Sequence, residues 1–137
     1  MSKIRRFEDL IAWQKGRKLA STIHALTMQP KFRRDFKLRD QIWDAAISVP
    51  SNIAEGFERN RLNEFHQHRS VSKASCGEVR SDLYLAFDAG HIDERALAAL
   101  LEQAREVSRI VSGLRSSIER EIHKQQILRT QDSGLRT

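Results

Sequence analysis

The residues of this chain able to do chemistry are few, and their spacing argues against a reaction centre. Glu55 and Glu78 fall on neighbouring helical segments and could form a paired-carboxylate acid/base site. No nucleophile or companion histidine is placed beside them by sequence, so the expected use is structural: hydrogen bonds or ion pairs with Arg59, Arg80 or a second subunit. A di-iron centre in a helical bundle needs Glu-x-x-His on two helices, and none of the ten glutamates has a histidine three residues later. His66 and His68 stand two apart, diverge around a helix and make a poor metal pair. The single cysteine, Cys76, excludes an intramolecular disulfide, fits a reducing cytosol and reads as a small packing residue. The expectation is therefore no catalytic residue, no metal and no cofactor.

The stretch that must position these groups is Ser48-Val49-Pro50-Ser51-Asn52-Ile53-Ala54-Glu55-Gly56. It puts a proline inside an apolar helical pattern, which removes one backbone hydrogen bond and costs roughly 3 kcal/mol. Asn52 lies just past the expected kink, where its amide could satisfy carbonyls freed by Pro50. Gly56 reads as a terminating residue. On the next helix, Ser72, Ala74, Ser75, Cys76 and Gly77 are small enough to let the bent segment approach.

Four helical segments surround this stretch, and no period-two run long enough for a sheet occurs. The first runs from about Phe7 to Met28, with Ala12, Gly16, Leu19, Ile23 and Leu26 on one face and Lys15, Arg17 and Lys18 turned outward. Pro30 ends it, and residues 31–37 read as a basic loop with aromatic anchors. The second spans about Leu38 to Glu58. Its main stripe is Leu38, Ile42, Ala45, Ala46, Val49, Ile53 and Phe57; a second, of Trp43, Ile47, Pro50 and Ala54, is turned by about 100° and is expected to contact another subunit. The third runs from about Arg61 to Ala89, with Asn60 as N-cap, Phe65, Ser72, Cys76, Val79, Leu83 and Ala86 inward, Tyr84, Leu85 and Phe87 alongside, and Gly90 closing it. The fourth begins at Asp93 and carries a regular apolar stripe to about Gln125. Residues 126–137 form a polar tail expected to fray, leaving 1–125 as one domain.

Short connections favour an all-α, up-down-up-down antiparallel four-helix bundle with a proline-kinked second helix. The formal charge of +6 is unevenly placed: residues 1–36 hold nine Lys and Arg against three acids, while residues 61–90 sum to zero. The bundle brings the start of the first helix and the end of the last to one pole, where residues 1–18 add +4 and 109–137 add +3. Lys3, Arg5, Arg6, Lys15, Arg17, Lys18, Arg115, Arg120 and Lys124 are the expected phosphate contacts. A solvated helix face that only aids solubility is the alternative. The N-terminus lacks an apolar core and no run approaches the ~18 apolar residues of a bilayer span, so a cytoplasmic protein without membrane contact is expected.

Phe7-Glu8-Asp9-Leu10-Ile11-Ala12-Trp13-Gln14 resembles the opening FxDLxxWQ signature of the four helix bundle proteins encoded in intervening sequences of bacterial 23S rRNA genes. Gln41-Ile42, Ala45-Ala46 and SVPSNIAEG resemble that family's central QIxxAAxSxPSNIAEG motif, and Arg59, Glu64-Phe65, Ser75, Glu78 and residues 83–92 extend the likeness over about residues 7–120. The resemblance implies an all-helical bundle that commonly assembles as a ring-like homopentamer, and it implies no reaction. In the related accessory variability determinant of diversity-generating retroelements, it implies a basic pentamer that binds nucleic acid and a partner reverse transcriptase. Trp43 departs from the pattern, which more often has a basic residue there. Separately, Arg61-Leu62-Asn63-Glu64-Phe65-His66 resembles the Arg-x4–6-His site of helical HEPN ribonucleases, in which His would act as general base and Arg would stabilise the phosphorane. Arg61 to His68 and Arg17 to His24 fit the same loose spacing.

The sequence thus points to a non-enzymatic homo-oligomer that binds nucleic acid, RNA above all, without sequence specificity. A protein-binding scaffold, an accessory subunit of a nucleic-acid enzyme and a HEPN-like ribonuclease are the alternatives. Pro50, Ser51, Asn52, Glu55, Gly56 and Glu78 are assigned to structure.

Overall fold

Apolar residues at three-and-four spacing recur through most of this chain, and a helix is the local structure that gathers them on one side. The computed structural model describes residues 4–135, apart from the side chains of Arg115, Ser117 and residues 133–135. The described residues are all-α, without a strand. Four long helices are α1 (Ile11–Thr27), α3 (Phe36–Arg59), α4 (Leu62–Asp88) and α5 (Glu94–Leu135), with a one-turn helix α2 (Pro30–Arg33) between the first two and a 3-10 turn at Phe7–Asp9. No helix is long and apolar enough to cross a membrane among the described residues.

The first helix begins four residues later than its apolar pattern suggests. Asp9 Oδ2 accepts the backbone N–H groups of Arg5 and Arg6 at 3.0 and 3.1 Å, which closes the 3-10 turn, and Leu10 is extended before α1 starts. The inward face of α1 is the expected one, Ala12, Gly16, Leu19, Ile23 and Leu26, joined by Ala20 and Thr27. The expected loop at 31–37 contains α2 instead, because Pro30 sits at a first helical position, where its missing N–H costs nothing. Phe32 anchors this turn in the core, whereas Phe36 opens α3 and is exposed under the Arg39 guanidinium.

Caps decide the remaining boundaries, and two differ from the sequence reading. Gly56 does not terminate α3; it is buried within it. The stop comes at Asn60, whose left-handed φ of 52° makes it the C-cap of α3 rather than the N-cap of α4. Gly90 behaves as expected: with φ 79°, it donates to the Phe87 carbonyl while His91 donates to Ala86, the paired bonds of a Schellman ending. Asp93 Oδ1 then accepts the Ala96 N–H at 2.8 Å to start α5. That helix continues to Leu135, past the expected end near Gln125. Lys124, Gln125, Gln126, Leu128 and Arg129 are good helix formers, and no glycine or proline interrupts them before Gly134.

The core lies where these helices meet: α3 packs most extensively on α4, α1 on α3, α5 on α4, and α1 also on α5. Its largest fully buried side chains include Phe32, Phe65, Leu19, Ile23, Ile42, Ile53, Leu83 and Ile118. Each such side chain is worth about 1.5–3 kcal/mol relative to exposure. Tyr84, Leu85 and Phe87, expected beside the inner face of α4, are instead exposed.

Candidate nucleic-acid interface

The central motif is built around a proline that the helix absorbs. α3 is continuous through Pro50. A proline lacks the N–H that would serve the carbonyl four residues back, here Ala46. Asn52 does not reach that carbonyl; its Nδ2 donates to the Ser48 carbonyl and to Ser48 Oγ, both at 2.9 Å. The amide therefore braces the turn holding Pro50 and, through Oδ1, accepts from His68 Nδ1 at 3.0 Å. Two α4 serines complete the seam. Ser72 Oγ donates to the Val49 carbonyl at 2.8 Å, and Ser75 Oγ lies 2.8 Å from Ser48 Oγ. At the far end, Gln41 Nε2 donates to Asp82 Oδ1 at 2.8 Å.

Glycines set how near the neighbours come. A Cβ on Gly56 would stand 2.9 Å from His68 Cβ, an atom fixed to the α4 backbone. A Cβ on Gly16 would meet Val49 Cγ1 at 3.2 Å and Pro50 Cβ at 3.5 Å. Room beside Pro50 is thus made by Gly16 of α1, while Ser72 and Ser75 of α4 bond to the backbone and a side chain of α3. Ser51, also assigned to the motif, is exposed.

The outward stripe of α3 lies together as the sequence implies. Trp43, Ile47, Pro50 and Ala54 line an open, largely apolar groove of about 410 Å³ with Phe7, Trp13 and Ala20. Trp43 meets the His24 ring at a tilt of 52°, with centroids 4.9 Å apart, and Phe7 meets Trp13 edge-on at 5.1 Å. Arg17 sits on the rim with its guanidinium 5.6 Å from the Trp13 ring.

The expected phosphate contacts differ in how free they are. Lys15 faces Glu106 at 3.8 Å. Asp9 sits among Arg5 and Arg6, and their backbone N–H groups, followed by their charges, hold its carboxyl below the usual range. Arg17, Lys18, Arg120 and Lys124 are exposed and have no acidic partner among the described residues. Lys3 and the side chain of Arg115 lie outside the described residues.

A second group of cations escaped the sequence reading. Arg69, Lys73 and Arg80 line one pocket of about 450 Å³ between α4 and α5, with Ser70, Ala74, Gly77 and Ser108. No carboxylate lines it. The Nε atoms of Arg69 and Arg80 are buried without a hydrogen-bond partner. The spacing of four and seven residues places all three cations on one side of α4, a signal hidden because residues 61–90 sum to zero charge.

The groups weighed for chemistry are separated or occupied. Glu55 pairs with Arg59 at 3.1 Å and lies 4.0 Å from His68, whereas Glu78 shares a different cavity with Asp44, Ser48 and Ser75. His68 and Glu78 are ten residues apart along α4, about 15 Å, so the two glutamates do not form a pair. His66 Nε2 meets Glu119 at 3.1 Å. Cys76 is buried, and burial pushes its thiol up to about 11 despite the nearby Arg80 charge. No cluster of three metal-ligating side chains occurs among the described residues.

Compared with curated proteins, the chain finds no match. The model of the 23S rRNA-intervening sequence proteins matches residues 8–113, from the 3-10 turn through nearly half of α5, and so takes in the seam, the α4–α5 pocket and the lining of the groove apart from Phe7. The chain belongs to the 23S rRNA-intervening sequence protein family.

Proposed function

We propose that this protein is a non-enzymatic, homo-oligomeric helical bundle that binds nucleic acid, RNA above all, without sequence specificity. The observation that carries the reading is the set of exposed cations, Arg17, Lys18, Arg120 and Lys124, without acidic partners among the described residues, with Arg17 on the rim of an open apolar groove. Unneutralised cations at a surface attract phosphates and release counterions on binding. The bundle is read as antiparallel, up-down-up-down. In support, partners on α3 rise from Gln41 to Asn52 as those on α4 fall from Asp82 to His68. Likewise, Lys15 meets Glu106 while Thr22 bonds Gln103. In that arrangement Arg120 and Lys124 share a pole with the start of α1.

The groove lined by Trp43, Ile47, Pro50 and Ala54 is the subunit contact in this reading, because an apolar hollow next to two tryptophans gains from being covered. Five copies is the number the family resemblance implies. No step of catalysis is assigned: Glu55 and Glu78 stand apart, Cys76 is a buried thiol, and His66 is engaged by Glu119.

Fluorescence anisotropy with a labelled single-stranded RNA tests this directly. Four phosphate contacts predict a roughly 50-fold loss of affinity between 50 and 200 mM salt, from a slope of about −0.7 per contact. No binding at low salt, or binding indifferent to salt, overturns the proposal. Recovery of one specific protein partner after nuclease treatment, with no RNA affinity in the purified chain, would favour a scaffold instead.

A further inference from the structure

We infer that the pocket between α4 and α5 seats a backbone phosphate of the bound RNA. The inference rests on the nucleic-acid reading above and assigns it a site on a different part of the molecule from the α1 cations. Three cations, Arg69, Lys73 and Arg80, converge on one concavity whose lining contains no carboxylate. Bringing like charges together is unfavourable unless an anion joins them. The neighbouring ion pairs sharpen the point: on the same bundle Arg59 reaches Glu55 and Arg109 reaches Glu102, whereas these three cations have no acidic partner among the described residues.

Unmet hydrogen-bonding capacity agrees with charge. The Nε donors of Arg69 and Arg80 are shielded from solvent yet have no acceptor. A buried donor left without one costs about 1–3 kcal/mol, more on a charged group. A phosphate supplies several acceptor oxygens in the geometry that a guanidinium fork matches. Ser70 and Ser108 add hydroxyls at the lining, one from each helix. Gly77 and Ala74 keep the lining low, so an anion can approach the helix surface. No base-reading group lines the pocket apart from these, which suits contact with the backbone rather than with sequence.

The test is lysine footprinting with an amine-reactive reagent, read by mass spectrometry on the full chain, with a single-stranded RNA 12-mer or inorganic phosphate as the probe. Anisotropy with Lys73→Gln and Arg80→Gln accompanies it. Lys73 is exposed, so Lys73→Gln leaves the core untouched. The expected result is that RNA protects Lys73, that each substitution lowers affinity roughly tenfold, the size of one charge-assisted hydrogen bond, and that Lys73→Arg restores binding. If Lys18 and Lys124 are protected while Lys73 stays reactive and Lys73→Gln binds normally, the pocket assignment falls and the RNA reading stands. Protection of Lys73 by inorganic phosphate but not by RNA also overturns it, in favour of a small anion. Absence of RNA binding by the wild type at low salt removes both.

Discussion

The two faces of α3 make opposite uses of the same nine residues. Toward α4, the helix is sealed: Ser48, Val49 and Asn52 are tied to Ser75, Ser72 and His68, and Gly56 lets the backbones close. Away from α4, Pro50 and Ala54 from the same segment, with Ile47 just before it and Trp43 one turn earlier, line an open groove. The sealed face satisfies buried polar groups, which is a requirement of any fold. The open face has no such obligation, and its apolar character stands out because nothing among the described residues covers it. The SVPSNIAEG motif thus serves folding on one side and, in our proposal, assembly on the other.

The largest expected effect breaks the sealed face alone. Gly56→Leu forces a side chain into the space held by His68 Cβ and Phe65, and should cost about 3 kcal/mol. Thermal and urea unfolding followed by circular dichroism would show it; an unchanged midpoint would mean that the helices separate freely there. Ile47→Asp breaks the open face. It should leave unfolding within about 0.5 kcal/mol while weakening self-association at least tenfold, read by sedimentation. A mutant that unfolds instead would place Ile47 in the core of the monomer.

A smaller effect has the opposite sign. Burial pushes the Asp82 carboxyl up, the Gln41 bond opposes this, and the Glu78 charge adds to it, while Oδ2 is buried without a partner. A folded value above the unfolded one means stability is lost as pH rises through it. Asp82→Asn should therefore stabilise the protein at pH 7 by about 1 kcal/mol, with the gain vanishing at low pH. Destabilisation at pH 7 would show that the charge is needed.

Asp35 gives the smallest change and the reverse dependence. The His91 hydrogen bond at 2.8 Å, and then the Leu38 N–H, hold its carboxyl below the usual range. That contribution is full above the unfolded value of about 3.9 and is lost as pH falls through the lower folded value. Asp35→Asn should flatten the acid limb of the stability curve below about pH 4, measured by urea melts. An unaltered limb would assign acid sensitivity to other carboxylates.

Much of the framework is legible from residues alone. The inner stripe of α1 and the outer stripe of α3 follow from spacing, because a regular helix converts sequence distance into angle. Gly56 is misread because glycine serves either a close approach or a turn, and only the contact with His68 decides which; Asn60 is misread because asparagine serves as an N-cap or as a left-handed C-cap, and its φ decides. The bracing by Asn52 is foreseen as a role, but its partner is not, since the choice of Ser48 over Ala46 depends on side-chain geometry. The α4–α5 pocket is missed because charge summed along a segment erases its distribution around the helix. Arg69, Lys73 and Arg80 show why charge must be read by face.

The central claim joins assembly to nucleic acid, and one sedimentation experiment tests both. Labelled single-stranded RNA at low salt should co-sediment with a particle several times the 15.8 kDa chain, and raising the salt should release the RNA while the particle persists. Free RNA beside a 15.8 kDa monomer at micromolar concentration would contradict the account.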